Sequence, residues 1–367
     1  MEGDLKELFE NLEDSRQDWK IKHSLYEILM VVFCGVSAGE TSISGILAFA
    51  RCKKKWLMDK ANLTFPNGLP SYDTIRRMLG ALDPKQFQKV MIRFMERTLN
   101  IPKGSYVSID GKTLRGSGYK EDGIEPLHLL HAYSHECGLV IGQLECHKDK
   151  TNEIPVSKEL LDLLKLKDTI ITADAMMCQK DVIKKISKNN DYVVALKGNQ
   201  KTMFKEVKEL FECPADKTRK TMTTKEKSRG RFEIREYTLE TNIDWFQDKK
   251  DWKNLKAFIM CKNTVISKNK ERTEKRYFIT SLEDITKASL GIRNHWAIEN
   301  NLHWSLDVIF KDDECRVLDK NASENLAIMR RIIYNRIKMI SHLDKLIDGK
   351  RYCTYDDDFR AKILFSC

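Results

Sequence analysis

Apolar positions recur at helical spacing through Leu25–Val36, Ile43–Phe49 and Phe87–Leu99, so residues 1–100 are expected to form an all-helical region. Between these runs lies "NGLPSYDTIRRMLGALDP", where Pro70 and Ser71 give a helix start and Asp83-Pro84 a stop. Ile75, Met78, Leu79 and Leu82 make one apolar stripe inside it, leaving Arg76 and Arg77 outside. Two outward arginines on a short helix after a tight turn suit a helix-turn-helix recognition element, although ordinary amphipathic helices share the pattern.

From residue 105 the period shortens to two. "SYVSID" reads as a strand, and "LHLLHAYS" and "GLVIGQLECH" as two more joined by the turn at His135–Gly138. Asn152–Leu166 is amphipathic and helical, "DTIITADA" a buried strand, Gln179–Lys188 a helix and "YVVALKG" a last strand. The order β-β-β-α-β-α-β predicts an antiparallel meander followed by parallel strands on helical crossovers. Ribonuclease H-like domains use this order, with the first and fourth strands side by side. The predicted fold class is therefore α/β, with a ribonuclease H-like mixed sheet whose first part spans residues 101–200. Residues 201–284 read as a basic, β-rich insertion, 285–346 as a helical return to the core, and 347–367 as a tail.

This pattern puts chemistry at strand ends. Asp110 closes the first predicted strand and Asp174 the fourth, so two carboxylates are expected side by side. Facing like charges raise one another's pKa unless a cation lies between them. Hard oxygen donors favour Mg²⁺ or Mn²⁺, commonly as two ions acting on a phosphoryl group. The run "GKTLRGSG" after Asp110 offers Lys112 and Arg115 among glycines, read as a loop facing a phosphate backbone. A third acid is expected beyond the insertion, where His295, Glu299, His303 and Asp307 follow one another at steps of four, a drifting stripe on a helix. Zinc is poorly supported, since no HExxH occurs.

The charge adds a direction. The 367 residues carry a formal +10, concentrated in "KTRKTMTTKEKSRGRFEIR" (217–235) and "KNKERTEKR" (268–276), which suits a polyanion or a solvated face. No stretch approaches the roughly 20 apolar residues of a membrane span, and the acidic N-terminus is not a secretory signal. Ten cysteines without a CxxC pair indicate neither a zinc ribbon nor a disulfide framework. A reduced, cytoplasmic protein without membrane attachment is expected.

"SIDGKTLRGS", "TADAMMCQ", "ALKGNQ" and "HWAIENNLHWSLDVIFKDDECR" resemble the motifs of the H-repeat-associated group of bacterial insertion-sequence transposases, in the DDE superfamily. The similarity runs from "LPSYDT" through "NLAIMRRIIYNRIK". It implies Asp110, Asp174 and Glu299 as catalytic, metal-binding residues with two Mg²⁺ ions, for which Mn²⁺ substitutes. It also implies cleavage at transposon ends and strand transfer into target DNA, with duplex DNA as partner and a homodimer or larger assembly on that DNA. Contacts to nucleic acid are expected at Arg76, Arg77, Lys112, Arg115, Lys197, Arg229, Arg231 and Arg293. A DNA-binding protein that has lost catalysis, or a nuclease without a joining step, would carry the same features. Related transposases outside this group place Tyr, Arg and Lys around the catalytic Glu; the corresponding positions here are Ile292, His295 and Leu306. Phosphate contacts are expected instead at Arg293, Lys311 or Arg316.

Overall fold

The computed structural model describes residues 5–14, 16–17, 19, 21–146, 153–214, 219–228, 231–267, 270–341 and 343–365. Among the described residues six helices come first: α1 (Leu5–Glu10), α2 (Leu25–Ala38), α3 (Ile43–Cys52), α4 (Lys54–Lys60), α5 (Tyr72–Ala81) and α6 (Pro84–Thr98). The expected start of α5 is built by Ser71, whose hydroxyl accepts the Thr74 N–H at 3.2 Å. Ile75, Met78 and Leu79 are buried beneath it and Arg76 and Arg77 are exposed.

The core follows as β1 (Tyr106–Leu114), β2 (Leu127–Ser134), β3 (Leu139–Glu145), α7 (Glu153–Leu164), β4 (Ile170–Ala173), α8 (Lys180–Ile186) and β5 (Asp191–Leu196). Strand β1 pairs antiparallel with β2 and parallel with β4, and β4 pairs parallel with β5. That is the order expected of a ribonuclease H-like sheet. Next come α9 (Lys201–Glu212), β6 (Lys220–Ser228), β7 (Arg231–Glu240), β8 (Ala257–Ser267) and β9 (Lys270–Thr280). The β-rich stretch thus opens with a helix, which the sequence reading missed. Nor are its strands a separate sheet. Strand β9 pairs antiparallel with β5, making one nine-stranded sheet in the order β3-β2-β1-β4-β5-β9-β8-β7-β6.

Beyond the sheet run α10 (Ile285–Ile298), α11 (Lys320–Ile340), α12 (Leu346–Tyr355) and α13 (Asp357–Phe365). The helical return is interrupted: α10 passes into two π-helical turns, Glu299–His303 and Ser305–Ile309, and Lys311 ends them in the left-handed region at φ 54°. Alternation along β1 sends Val107 and Ile109 toward α7 and α8, and Tyr106, Ser108, Asp110 and Lys112 toward α10 and the π turns. Gly291 lets α10 approach closely, because a Cβ there would stand 2.9 Å from a Val193 methyl.

Edge strand β3 is covered by α11, whose Asn335 amide accepts the Val140 N–H at 3.0 Å and donates to its carbonyl at 2.7 Å. Asn325 of the same helix donates to the Leu79 and Leu82 carbonyls, satisfying acceptors at the end of α5. Helices α1–α6 and α11–α13 share one apolar core, so the N-terminal helices are not a free-standing unit. No single described helix is long and apolar enough to cross a membrane.

Candidate active site

Asp110 is the fifth residue of β1, not its end; the strand continues through Gly-Lys-Thr-Leu to Leu114. It lies one residue beyond the pairing of Ile109 with Ala173, and Asp174 directly follows β4. Glu299 follows the last residue of α10. Three carboxylates from distant parts of the chain therefore line one cavity of about 430 Å³, together with His295, Trp296 and Lys197.

Burial pushes the Asp110 carboxyl up to about 7; the Gly111 N–H pulls it down, and the charges of Glu299, Asp174 and Glu153 add to the rise. Burial also raises Asp174, but the Lys197 ammonium, 2.9 and 3.3 Å from its two oxygens, outweighs that and holds it below its usual value. Lys197, expected to touch nucleic acid, sits against this acid. His303 Nδ1 stands 3.8 Å from an Asp110 oxygen, yet burial lowers that imidazole to about 3, so it faces the acid neutral. Burial likewise lowers His295 to about 4. A buried chain of hydrogen bonds ties His135 to Ser108 (2.6 Å), Ser108 to Thr172 (2.7 Å) and Thr172 to His295 Nδ1 (3.4 Å).

The four-residue stripe survives the change of winding. In an α-helix a step of four overshoots a full turn, whereas bonding five residues apart widens the turn so that the same step falls short. The drift is thereby countered, and the π turns keep His303 beside Asp110 and Asp307 beside Lys112. Lys112 is the clearest correction. It belongs to β1, is buried, and forms an ion pair with Asp307, so it does not face a phosphate backbone. Its work is to pin the π turns along β1. Arg115 is exposed, its backbone N–H donating to Asp313 at 2.9 Å. The loop around it is packed rather than free, since a Cβ on Gly116 would stand 2.3 Å from the Asp313 carbonyl oxygen.

A second, wider cavity of about 770 Å³ adjoins the first and shares Glu299, Trp296 and Arg276 with it. Arg231 and Arg235 on β7, Arg276 on β9 and Arg293 on α10 line this groove. Two guanidinium groups lie over the Trp296 ring, Arg276 at 5.0 Å and Arg235 at 5.7 Å from its centroid. Glu226 holds Arg293 at 2.8 Å and Arg235 at 3.0 Å. Lys225 and Lys227 alternate with Glu226 and are exposed on the opposite face of β6. Arg229, Lys217 and Lys268 lie outside the described residues. Arg235 and Arg276 close the two basic clusters read from the sequence but were not singled out as site residues; two-residue alternation from Arg231 through Glu233 to Arg235 was the available signal. Arg316 is exposed on the loop before α11, away from both cavities among the described residues.

The donor set fits hard divalent cations, being carboxylate oxygens gathered where burial first, and then acidic neighbours, raise the Asp110 carboxyl. Among the described residues, no three such side chains already converge at ligating distance.

Comparison with known proteins matches residues 102–336 to a family model described as Transposase DDE domain, and residues 6–95 to one described as DDE_Tnp_1-associated. YncI of Escherichia coli O157:H7 is 36% identical over 363 residues, spanning 96% of this chain and 92% of its own. The H repeat-associated YhhI of Escherichia coli strain K12 is 36% identical over 345 residues, spanning 90% of each chain. Both bear transposase names.

Proposed function

The chain belongs to the DDE-domain transposases, and we propose that it cuts duplex DNA at the inverted ends of its own element and joins the freed 3′-hydroxyl to target DNA. One observation carries this reading: Asp110, Asp174 and Glu299 line a single cavity beside an arginine-lined groove. DDE transposase domains generally use divalent metal. Asp110, Asp174 and Glu299 are the residues that would hold Mg²⁺ or Mn²⁺, two ions by the usual chemistry of such sites. When bound, the metal lowers the pKa of the attacking water and offsets charge on the leaving oxygen.

The protein's own contributions follow from its side chains. Burial raises the Asp110 carboxyl, and a cation beside it would favour its ionised form. Lys197 holds the Asp174 carboxyl below its usual value, and a metal held by Asp174 would stand in place of that ammonium. The neutral His303 and His295 add no positive charge that would compete for the acids. Arg231, Arg276 and Arg293 contact DNA phosphates along the groove, and Trp296 forms the wall between groove and acids. Strand transfer needs two ends held together, so the active form on DNA is a homodimer or larger.

The test uses purified protein and a duplex carrying the inverted repeats that flank its gene. Cleavage and joining should appear with Mg²⁺ or Mn²⁺ and cease with EDTA. Cleavage that survives EDTA would overturn the reading; cleavage without joining would reduce the protein to a nuclease.

A further inference from the structure

A third cavity, of about 470 Å³, lies away from the acids, between the C-terminal end of α2, the end of the π turns, α11 and α12. Its walls carry an imbalance of buried charge. Arg330 and Arg331 on α11 and Lys350 on α12 are all buried; Asp312 answers the two arginines, and Glu40 is the carboxylate acting on Lys350. Asp312 is shared: Arg330 reaches it through Nε and Arg331 through Nη1 and Nη2. The two Nη groups of Arg330, which lines the cavity, have no hydrogen-bond partner among the described residues beyond the weak Cys315 thiol nearby.

Lys350 has an evident structural role, donating to the Val36 and Ser37 carbonyls at 3.3 and 2.7 Å and so closing the end of α2. Those carbonyls take two of its three protons and supply partial charge only. Burial therefore lowers its ammonium to about 8. At the rim stand Lys311 and Arg351, more than half exposed and each held only by an acid on its own segment. Glu40 is the one acidic residue of the lining, and its carboxylate lies against Gly45 in the first turn of α3. Leaving two buried guanidinium donors without partners is costly even where Nε is paired, and native structures do so where something else completes them.

We propose that this cavity binds a phosphate-type oxyanion, received by Lys350 and by Arg330, whose buried Nη groups turn toward the ligand, with Lys311 and Arg351 at the entrance. The planar fork beside a point charge matches a tetrahedral oxyanion. Its source is either a backbone phosphate of bound duplex DNA or free phosphate. The proposal does not depend on which acids cut DNA.

The experiment follows thermal unfolding of the full-length protein in sodium phosphate, with sodium chloride at matched ionic strength as control. Saturable stabilisation by phosphate is expected in the wild type. Its midpoint should move about tenfold higher in Lys311→Asn/Arg351→Ala, equivalent to about 1.4 kcal/mol. Asn tolerates the left-handed backbone at Lys311, and both changes lie on the surface, so this variant should fold even if the second variant, Lys350→Met, does not. A mixed-sequence duplex distinguishes the sources. A DNA phosphate in the cavity predicts weaker duplex binding by the rim variant, with the slope of log K against log salt flattened by about 0.9 per lost contact. Unchanged duplex binding beside a weakened phosphate response assigns the site to free phosphate. The proposal is overturned if the rim variant matches the wild type in both its phosphate response and its duplex binding.

Discussion

Lys112 and Asp307 meet from 195 residues apart, and removing one charge leaves the other in a poor place. Lys112 is buried while Asp307 is about a third exposed, so Asp307→Asn should lower stability by about 1–3 kcal/mol, read by urea unfolding. A second residue tests buried charge by pH. Burial, with the charges of Glu145 and Asp83, raises Glu324 from 4.5 to about 8, so the folded chain keeps a proton there that the unfolded chain has lost. Between those pH values this residue's contribution to stability falls as pH rises. Glu324→Gln should therefore gain on the wild type steadily from pH 5 to about 8 and no further. A difference that does not change with pH would refute the assignment. The sequence announced Asp110 and Asp174 because each is a lone acid joined to an apolar strand. It could not announce Lys112–Asp307, since nothing local distinguishes a buried lysine from a phosphate-facing one.

At the scale of elements, strand periodicity was legible and strand length was not. "SYVSID" stopped the first strand at Asp110 because Gly111 and Lys112 look like a loop; pairing with β2 carries β1 on to Leu114. The π turns were illegible for a related reason, since apolar and polar spacing there satisfies an α-helix well enough. The joining of β9 to β5 was also hidden, because antiparallel pairing leaves no mark on which strands are neighbours. The faces of the β-rich stretch yield a prediction. Arg231→Ala and Arg276→Ala should each flatten the salt dependence of duplex binding by up to about 0.9, while Lys225→Ala and Lys227→Ala leave it unchanged. Equal effects from both pairs would remove the groove from the DNA path.

Over the whole molecule, one core joins the first helices to the last. Helix α2 is buried almost from end to end, and α11–α13 cover much of it. A fragment of residues 1–100 should therefore lack cooperative unfolding by circular dichroism, and recognition by Arg76 and Arg77 must be tested in the full chain. A cooperatively folded fragment would contradict the shared core. The same architecture brings Asp110, Asp174 and Glu299 to one cavity, and that convergence is the central claim. The most direct measurement is cleavage of end DNA in Mg²⁺ by Asp110→Asn, Asp174→Asn, Glu299→Gln and Asp307→Asn, each shown to be folded. The first three should be inactive while still binding DNA, and Asp307→Asn should cut with reduced stability. A folded Asp307→Asn that is dead, beside a Glu299→Gln that still cuts, would contradict the account.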